Sequence, residues 1–164
     1  MRKRISRRAG GGLMPALALC AWAGQAAAAG IVEVVGASGA PIARVEADEW
    51  CIAWNHSVAG FEVRDCYALR DGRMVLEHSH QPDFAAGLGH IPGRGTQRSD
   101  GAGGYRIEGI GEAVPGNCYR LRVGSASVDH RLVAGDTNIS LTALAAGESV
   151  AIRAGSAQTG NRTC

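Results

Sequence analysis

One hairpin signal constrains this chain more than any other feature. Asp71-Gly72 stands between Phe61–Arg70 and Arg73–His80, two runs in which apolar and polar residues alternate. A two-residue loop of this kind needs positive φ at both positions, and its twist matches that of the strands it joins. Alternation with period two places every second side chain on one face of a sheet. The rest of the chain repeats the theme. Ile31–Val35, Ile42–Glu46, Trp50–Ser57, Gly104–Ile110, Cys118–Gly124, Val128–Val133, Asn138–Leu141 and Ser149–Arg153 are short runs, β-branched or alternating, divided by marks such as Ala134-Gly135-Asp136 and Ala146-Gly147. No window of helical length after Gly30 carries a convincing apolar stripe at i, i+3, i+4, i+7. The pattern predicts an all-β chain: a single-domain antiparallel β-sandwich or small barrel of about ten short strands. Gln81 to Gly103 holds eight glycines and prolines in 23 residues. It is expected to be a long loop, mobile over Gly93 to Gly104, with Phe84 and Leu88 docked on the sandwich.

The N-terminus reads as an address. Arg2, Lys3, Arg4, Arg7 and Arg8 precede a short apolar stretch from Leu13 to Gly24 and the small residues Gln25 to Ala29. That order predicts a secretory signal peptide over residues 1–29, cleaved after Ala28 or Ala29, and a β domain over 30–164. Ser6-Arg7-Arg8 resembles a twin-arginine signal but runs into Ala9-Gly10-Gly11-Gly12 rather than apolar residues, so both export routes stay open. The expected location is periplasmic or extracellular. Of 17 basic and 15 acidic residues, five basic ones fall in the leader, so 30–164 keeps 12 against 15, a net charge of −3. A weakly acidic body offers no basic surface for a nucleic-acid partner. Contact with a membrane surface is expected only by association.

Without the leader four cysteines remain: Cys51, Cys66, Cys118 and Cys164. An even count in an exported chain predicts two disulfides, and no close C-x₂₋₄-C pair suggests zinc. Register proposes the connectivity. A turn centred on Val58-Ala59 sets Cys51 opposite Cys66, where an antiparallel pair brings Cβ atoms within bonding reach. Cys118 and Cys164 are then left for each other. The Asp71-Gly72 turn pairs Arg70 with Arg73, Tyr67 with Leu76, Asp65 with His78 and Val63 with His80. The core face then carries Trp50, Ile52, Trp54, His56, Phe61, Val63, Asp65, Tyr67, Leu69, Met74, Leu76, His78 and His80.

Three histidines and an aspartate on a core face need partners, because a buried ionisable group is costly alone. Three readings follow. The cluster is a satisfied polar rim; or it is a ligand site in which His56, Ser57 and Asp65 supply oriented donors and acceptors beside Trp54; or it is a metal site. In the last, His78 and His80 project from the same side of one strand, with His56, His90 or Asp65 completing the set. A nucleophilic triad is disfavoured, since adjacent His56 and Ser57 point to opposite faces and no G-x-S-x-G turn occurs. A phosphate loop is excluded: no lysine follows Gly101, Gly103 and Gly104, and residues 30–164 contain no lysine at all. No catalytic machinery, cofactor or dedicated metal set is expected.

Trp54-Asn55-His56-Ser57-Val58 resembles a motif of the family called domain of unknown function 1850. The similarity extends through Asp65-Cys66-Tyr67, the segment Asp83-Phe84-Ala85-Ala86-Gly87-Leu88 and Val128-Asp129-His130-Arg131-Leu132, and spans roughly Ile42 to Arg153. The chain differs at Ala59, where the family usually has glutamate, and at Gly89, where it has proline. The resemblance implies a small exported β domain. It also implies a partner, a permease or solute receptor of a tripartite transporter, and it adds His130 to the candidate ligand-binding residues His56, Ser57 and Asp65. The expected function is therefore a non-enzymatic periplasmic accessory or small-ligand-binding module linked to solute transport. The alternative is a metal-binding envelope protein using His78 and His80.

Overall fold

The computed structural model describes residues 29–81, 91–155 and 164. The expected leader, His90 and the docking of Phe84 and Leu88 lie outside these residues, apart from Ala29. Twelve strands form among the described residues. They are β1 (Ile31–Val35), β2 (Pro41–Glu46), β3 (Glu49–Asn55), β4 (Glu62–Arg70), β5 (Arg73–Gln81), β6 (Thr96–Ser99), β7 (Tyr105–Glu108), β8 (Glu112–Ala113), β9 (Cys118–Arg122), β10 (Arg131–Ala134), β11 (Thr137–Ser140) and β12 (Ser149–Gly155). One short helix, α1 (Leu141–Ala145), follows β11, and the Ser140 hydroxyl caps it by accepting from the Ala143 N–H at 3.1 Å.

The strands make two antiparallel sheets. One runs β2-β1-β12-β9; the other runs β11-β10-β3-β4-β5-β7-β6, with β8 also on β5. The sheets do not close on each other, so the architecture is a sandwich rather than a barrel. Their inner faces share one core, including Val32 and Val34 of β1, Ile52 of β3, Met74 of β5, and Val150 and Ile152 of β12. Each such side chain removed from water stabilises the fold by roughly 1.5–3 kcal/mol. Leu141 of α1 is fully buried and joins that core.

The expected hairpin is present: Asp71 (φ 52) and Gly72 (φ 73) both take positive φ. Two segments differ from expectation in secondary structure. Thr96–Ser99, placed in a mobile loop, is an edge strand paired with β7. Val128 to His130, placed in a strand, is a turn before β10, with Asp129 at φ 46. In both places glycine, serine and aspartate supplied turn signals that single-strand patterning could not locate to the residue.

Register positions everything else. β3 and β4 pair in the expected alignment over all seven pairs, from Glu49 with Ala68 to Asn55 with Glu62. Cys51 faces Cys66, and the two are disulfide-bonded; the second disulfide is Cys118–Cys164. β4 and β5 follow expectation from the turn only as far as Tyr67 with Leu76. The alignment then shifts, and Cys66 faces His78, Asp65 faces Ser79 and Arg64 faces His80. Glu77 is the extra residue of a β-bulge. The expected Asp65–His78 and Val63–His80 pairings are therefore wrong, and His78 and His80 are not on the core face. Ser79 and Gln81 take the inner positions, 4% and 6% exposed. The other edge of β5 also changes partner here. β8 pairs with Val75 and Leu76, β7 pairs with Ser79 to Gln81, and the Ile110 N–H donates to the Glu77 carbonyl between them at 3.0 Å. The bulge moves two imidazoles toward water and brings in neutral side chains whose hydrogen bonds are easier to satisfy inside.

Candidate binding site

The four expected site residues do not form one cluster. His56 stands at the end of β3, where its Nδ1 accepts from the Ala59 N–H at 3.1 Å and from the Val58 N–H at 3.4 Å. Its ring stacks on Phe61 at 5.3 Å. It holds the turn together. Ser57 is exposed beside it, and Val58 at the tip is 90% exposed. His130 is buried, stacked on Trp54 at 6.0 Å, and its Nδ1 accepts from the Gly124 N–H at 2.9 Å. Burial keeps its proton affinity below the ordinary value, against the pull of Asp129. Gly124 has no substitute here, because a Cβ would come within 2.6 Å of the Val128 Cβ. Both histidines thus spend Nδ1 on backbone amides, and the Asn55 N–H joins their two loops by donating to the Val128 carbonyl at 2.6 Å.

Asp65 sits elsewhere, on the inner face between Ile52 and Ser79. Burial raises its carboxyl above the ordinary value, while the Ser79 hydroxyl, Arg94 and His78 draw it back. Sequence reasoning missed the row it belongs to. The Tyr105 hydroxyl donates to Gln81 Oε1 at 2.6 Å, and Gln81 Nε2 donates to Ser79 Oγ at 3.4 Å. Asp65, Ser79, Gln81 and Tyr105 therefore form one polar row on the core side. Beside it Tyr67 stacks between Trp50 (5.9 Å) and Tyr119 (5.3 Å). Burial, with Asp65 adding to it, pushes the Tyr67 hydroxyl up to about 12. Burial raises Tyr119 as well, and nearby Tyr67 adds to the effect. The inner row is a satisfied polar interior more than an opening for a ligand.

The opposite, outer face of the same strands carries a groove of about 440 Å³. The Cys51–Cys66 disulfide, Ala68 and Val133 contribute its apolar surface, and Glu49, Arg70, Glu77, His78, Arg106 and Glu108 contribute its charged and polar surface. Burial and the Arg106 charge lower the proton affinity of His78, and Glu108, Glu77 and Glu49 oppose them. The net effect favours the neutral imidazole. His80, on the same side, is held at Nε2 by Asp100 Oδ2 at 3.1 Å. Among the described residues no group of three or more His, Cys, Asp or Glu side chains is arranged to hold a metal ion. Arg106 and Glu108 were not anticipated, because they enter the site through β7. The alternation of Tyr105-Arg106-Ile107-Glu108 was the available signal.

A groove floored by a cross-strand disulfide, together with the turn motif at Trp54 to Val58, describes a small disulfide-bonded β domain. The chain belongs to the family Domain of unknown function (DUF1850), whose model matches residues 51–141. The match takes in β3 to β11, hence both histidine-bearing loops and most of the groove. No curated protein and no solved structure matches the chain. No helix among the described residues is long and apolar enough to cross a membrane. The two disulfides are compatible with an oxidising environment.

Proposed function

We propose that the protein is a non-enzymatic small-ligand-binding module of the periplasm, accessory to solute uptake by a tripartite transporter. The outer groove carries this reading. Its volume of about 440 Å³ falls within the range of about 300–1,000 Å³ usual for small-molecule sites. It is built on strands and a disulfide rather than on loops, which favours a preformed site. The motif residues support the reading by what they are already doing. His56 and His130 are occupied in holding backbone, and Ser57 lies on an exposed turn beside a His56 whose Nδ1 already accepts from the turn amides. The transporter link rests on the family resemblance of the Trp54–Val58 motif. The alternative metal reading draws on the shared side of His78 and His80, but Asp100 already engages His80.

The test is a thermal-shift survey of the purified mature protein with sugars, amines, amino acids and carboxylates, run in parallel on Val133→Trp, which fills the groove from its edge. At a hundredfold excess over Kd a ligand adds about 2.7 kcal/mol to stability. At least one class should raise the Tm of the wild type and not that of Val133→Trp. If no class distinguishes the two proteins, the groove is not a ligand site and the reading fails.

A further inference from the structure

We propose that the groove takes a small organic carboxylate, with Arg106 holding the carboxylate and the apolar body of the ligand lying over the Cys51–Cys66 disulfide. This rests on the preceding reading of the groove as a ligand site, and adds what chemistry it selects.

The charges around the groove carry the inference. Glu49 and Glu77 are both taken by Arg70, whose Nη2 reaches Glu49 Oε1 at 3.0 Å and whose Nε reaches Glu77 Oε1 at 2.8 Å. Glu108 Oε2 receives Arg98 Nε at 3.0 Å. Every carboxylate lining the groove is therefore already paired, Glu49 and Glu77 sharing Arg70 and Glu108 taking Arg98. Among the described residues Arg106 has no carboxylate partner, although it lines the same groove.

Strand register explains why this cation stands alone. Arg131, Ala53, Arg64, His80, Arg106 and Arg98 face one another in a single row across the outer surface, from β10 to β6. Acids neutralise the other members. Glu62 meets Arg64 and Arg131, Asp100 meets His80, and Glu108 meets Arg98. Arg106 lies between His80 and Arg98, neither of which offers it a negative charge. An anion would relieve that repulsion, and a planar guanidinium matches a carboxylate with two parallel hydrogen bonds.

The surroundings select among anions. Next to Arg106, His78 can add a neutral N–H donor. Beyond them the surface turns apolar at the disulfide, Ala68 and Val133. A carboxylate with a short hydrocarbon body satisfies both halves. An inorganic dianion would use only the first half and would lie against Glu77 and Glu108.

The experiment is an NMR titration of the mature protein with hexanoate and phenylacetate, beside hexanamide, phenylacetamide and inorganic phosphate. The two acids should saturate the shifts of His78, Gly109 and Val133, and bind at least tenfold more tightly than their amides or phosphate. Arg106→Gln should weaken the acids about 10- to 100-fold, the usual span for one charged hydrogen-bonding group. Arg64→Gln, in the same row but outside the groove, should leave them unchanged. The proposal is overturned if neither acid saturates, if amide or phosphate binds as well as acid, or if Arg106→Gln has no effect. A non-carboxylate class whose binding is abolished by Val133→Trp would overturn it while leaving the groove a ligand site. Failure of every class against that variant removes both.

Discussion

Strand β4 pairs with β3 along one edge and with β5 along the other, and the two ladders behave differently. Against β3 the register holds over its whole length. Against β5 it holds for four pairs and then slips by one residue at Glu77. The difference follows the side chains available to pin each ladder. β3 brings Trp50, Ile52 and Trp54 to the core at regular intervals, and its partner brings Val63 and Leu69. β5 brings Met74 and Leu76 near the turn, then continues as Glu77-His78-Ser79-His80-Gln81, with nothing apolar to choose a face. Register is strongly specified only where one face is hydrophobic. Beyond Leu76 hydrogen-bonding needs decide, and they put Ser79 and Gln81 inside.

The comparison breaks most visibly at the disulfide. Replacing Cys51 and Cys66 together by Ala opens a cross-link of sequence separation 15 and should cost about 3 kcal/mol in urea unfolding. The β3–β4 register should nevertheless survive in cross-strand NOEs, because the tryptophans and not the sulfurs specify it. A slipped ladder in that variant would mean that the covalent bond was the only difference between the two hairpins.

Asp65 belongs to both ladders and sharpens the contrast. Asp65→Ala should cost roughly 1–3 kcal/mol, since it strips the buried Ser79 hydroxyl of its acceptor and leaves it only the Gln81 donor. Asp65→Asn keeps a hydrogen-bonding side chain and removes a desolvated charge, so near neutral pH it should be at least as stable as wild type. Burial raises the folded-state pKa of Asp65 above 3.8, so the folded chain holds this proton more tightly than the unfolded one. That contribution is fully present below pH 3.8 and is lost as pH rises through the folded value. Wild type should therefore gain on Asp65→Asn as pH falls from 7 to 3.5. A constant difference between the two across that range would place Asp65 in water.

The smallest effect belongs to the bulge itself. Deleting Glu77 should leave His78 opposite Cys66 and Ser79 opposite Asp65, because the extra residue and not its neighbours is removed. The Ile110 N–H loses the Glu77 carbonyl, worth about 0.5–1.5 kcal/mol net. Hydrogen exchange should show faster opening at Ile110 and an intact inner row. Exposure of Ser79 and Gln81 in this variant would show that the bulge, rather than polar satisfaction, sets the faces.

How far sequence reasoning reaches follows the same division. Asp71-Gly72 and the alternation around it were legible because a two-residue turn has few possible conformations and a period of two has only two phases. Cys51–Cys66 was legible because it lies in the ladder that hydrophobic residues pin. The edge strand Thr96–Ser99 was not, since its four residues are all exposed and carry no periodic signal. The candidate site suffered more, because His56 and His130 looked available and are spent on backbone amides.

By itself, then, the sequence determined the all-β class and the central hairpins near their turns, and it favoured the Cys51–Cys66 pairing, all of which depend on local periodicity and short-range geometry. Only the tertiary structure decided that β5 bulges at Glu77, that His78 and His80 face outward, and that Arg106 from a strand about thirty residues further on enters the groove beside them. These outcomes depend on which polar groups find partners across strands. That balance is settled by long-range hydrogen bonds and charges whose partners adjacent residues do not specify.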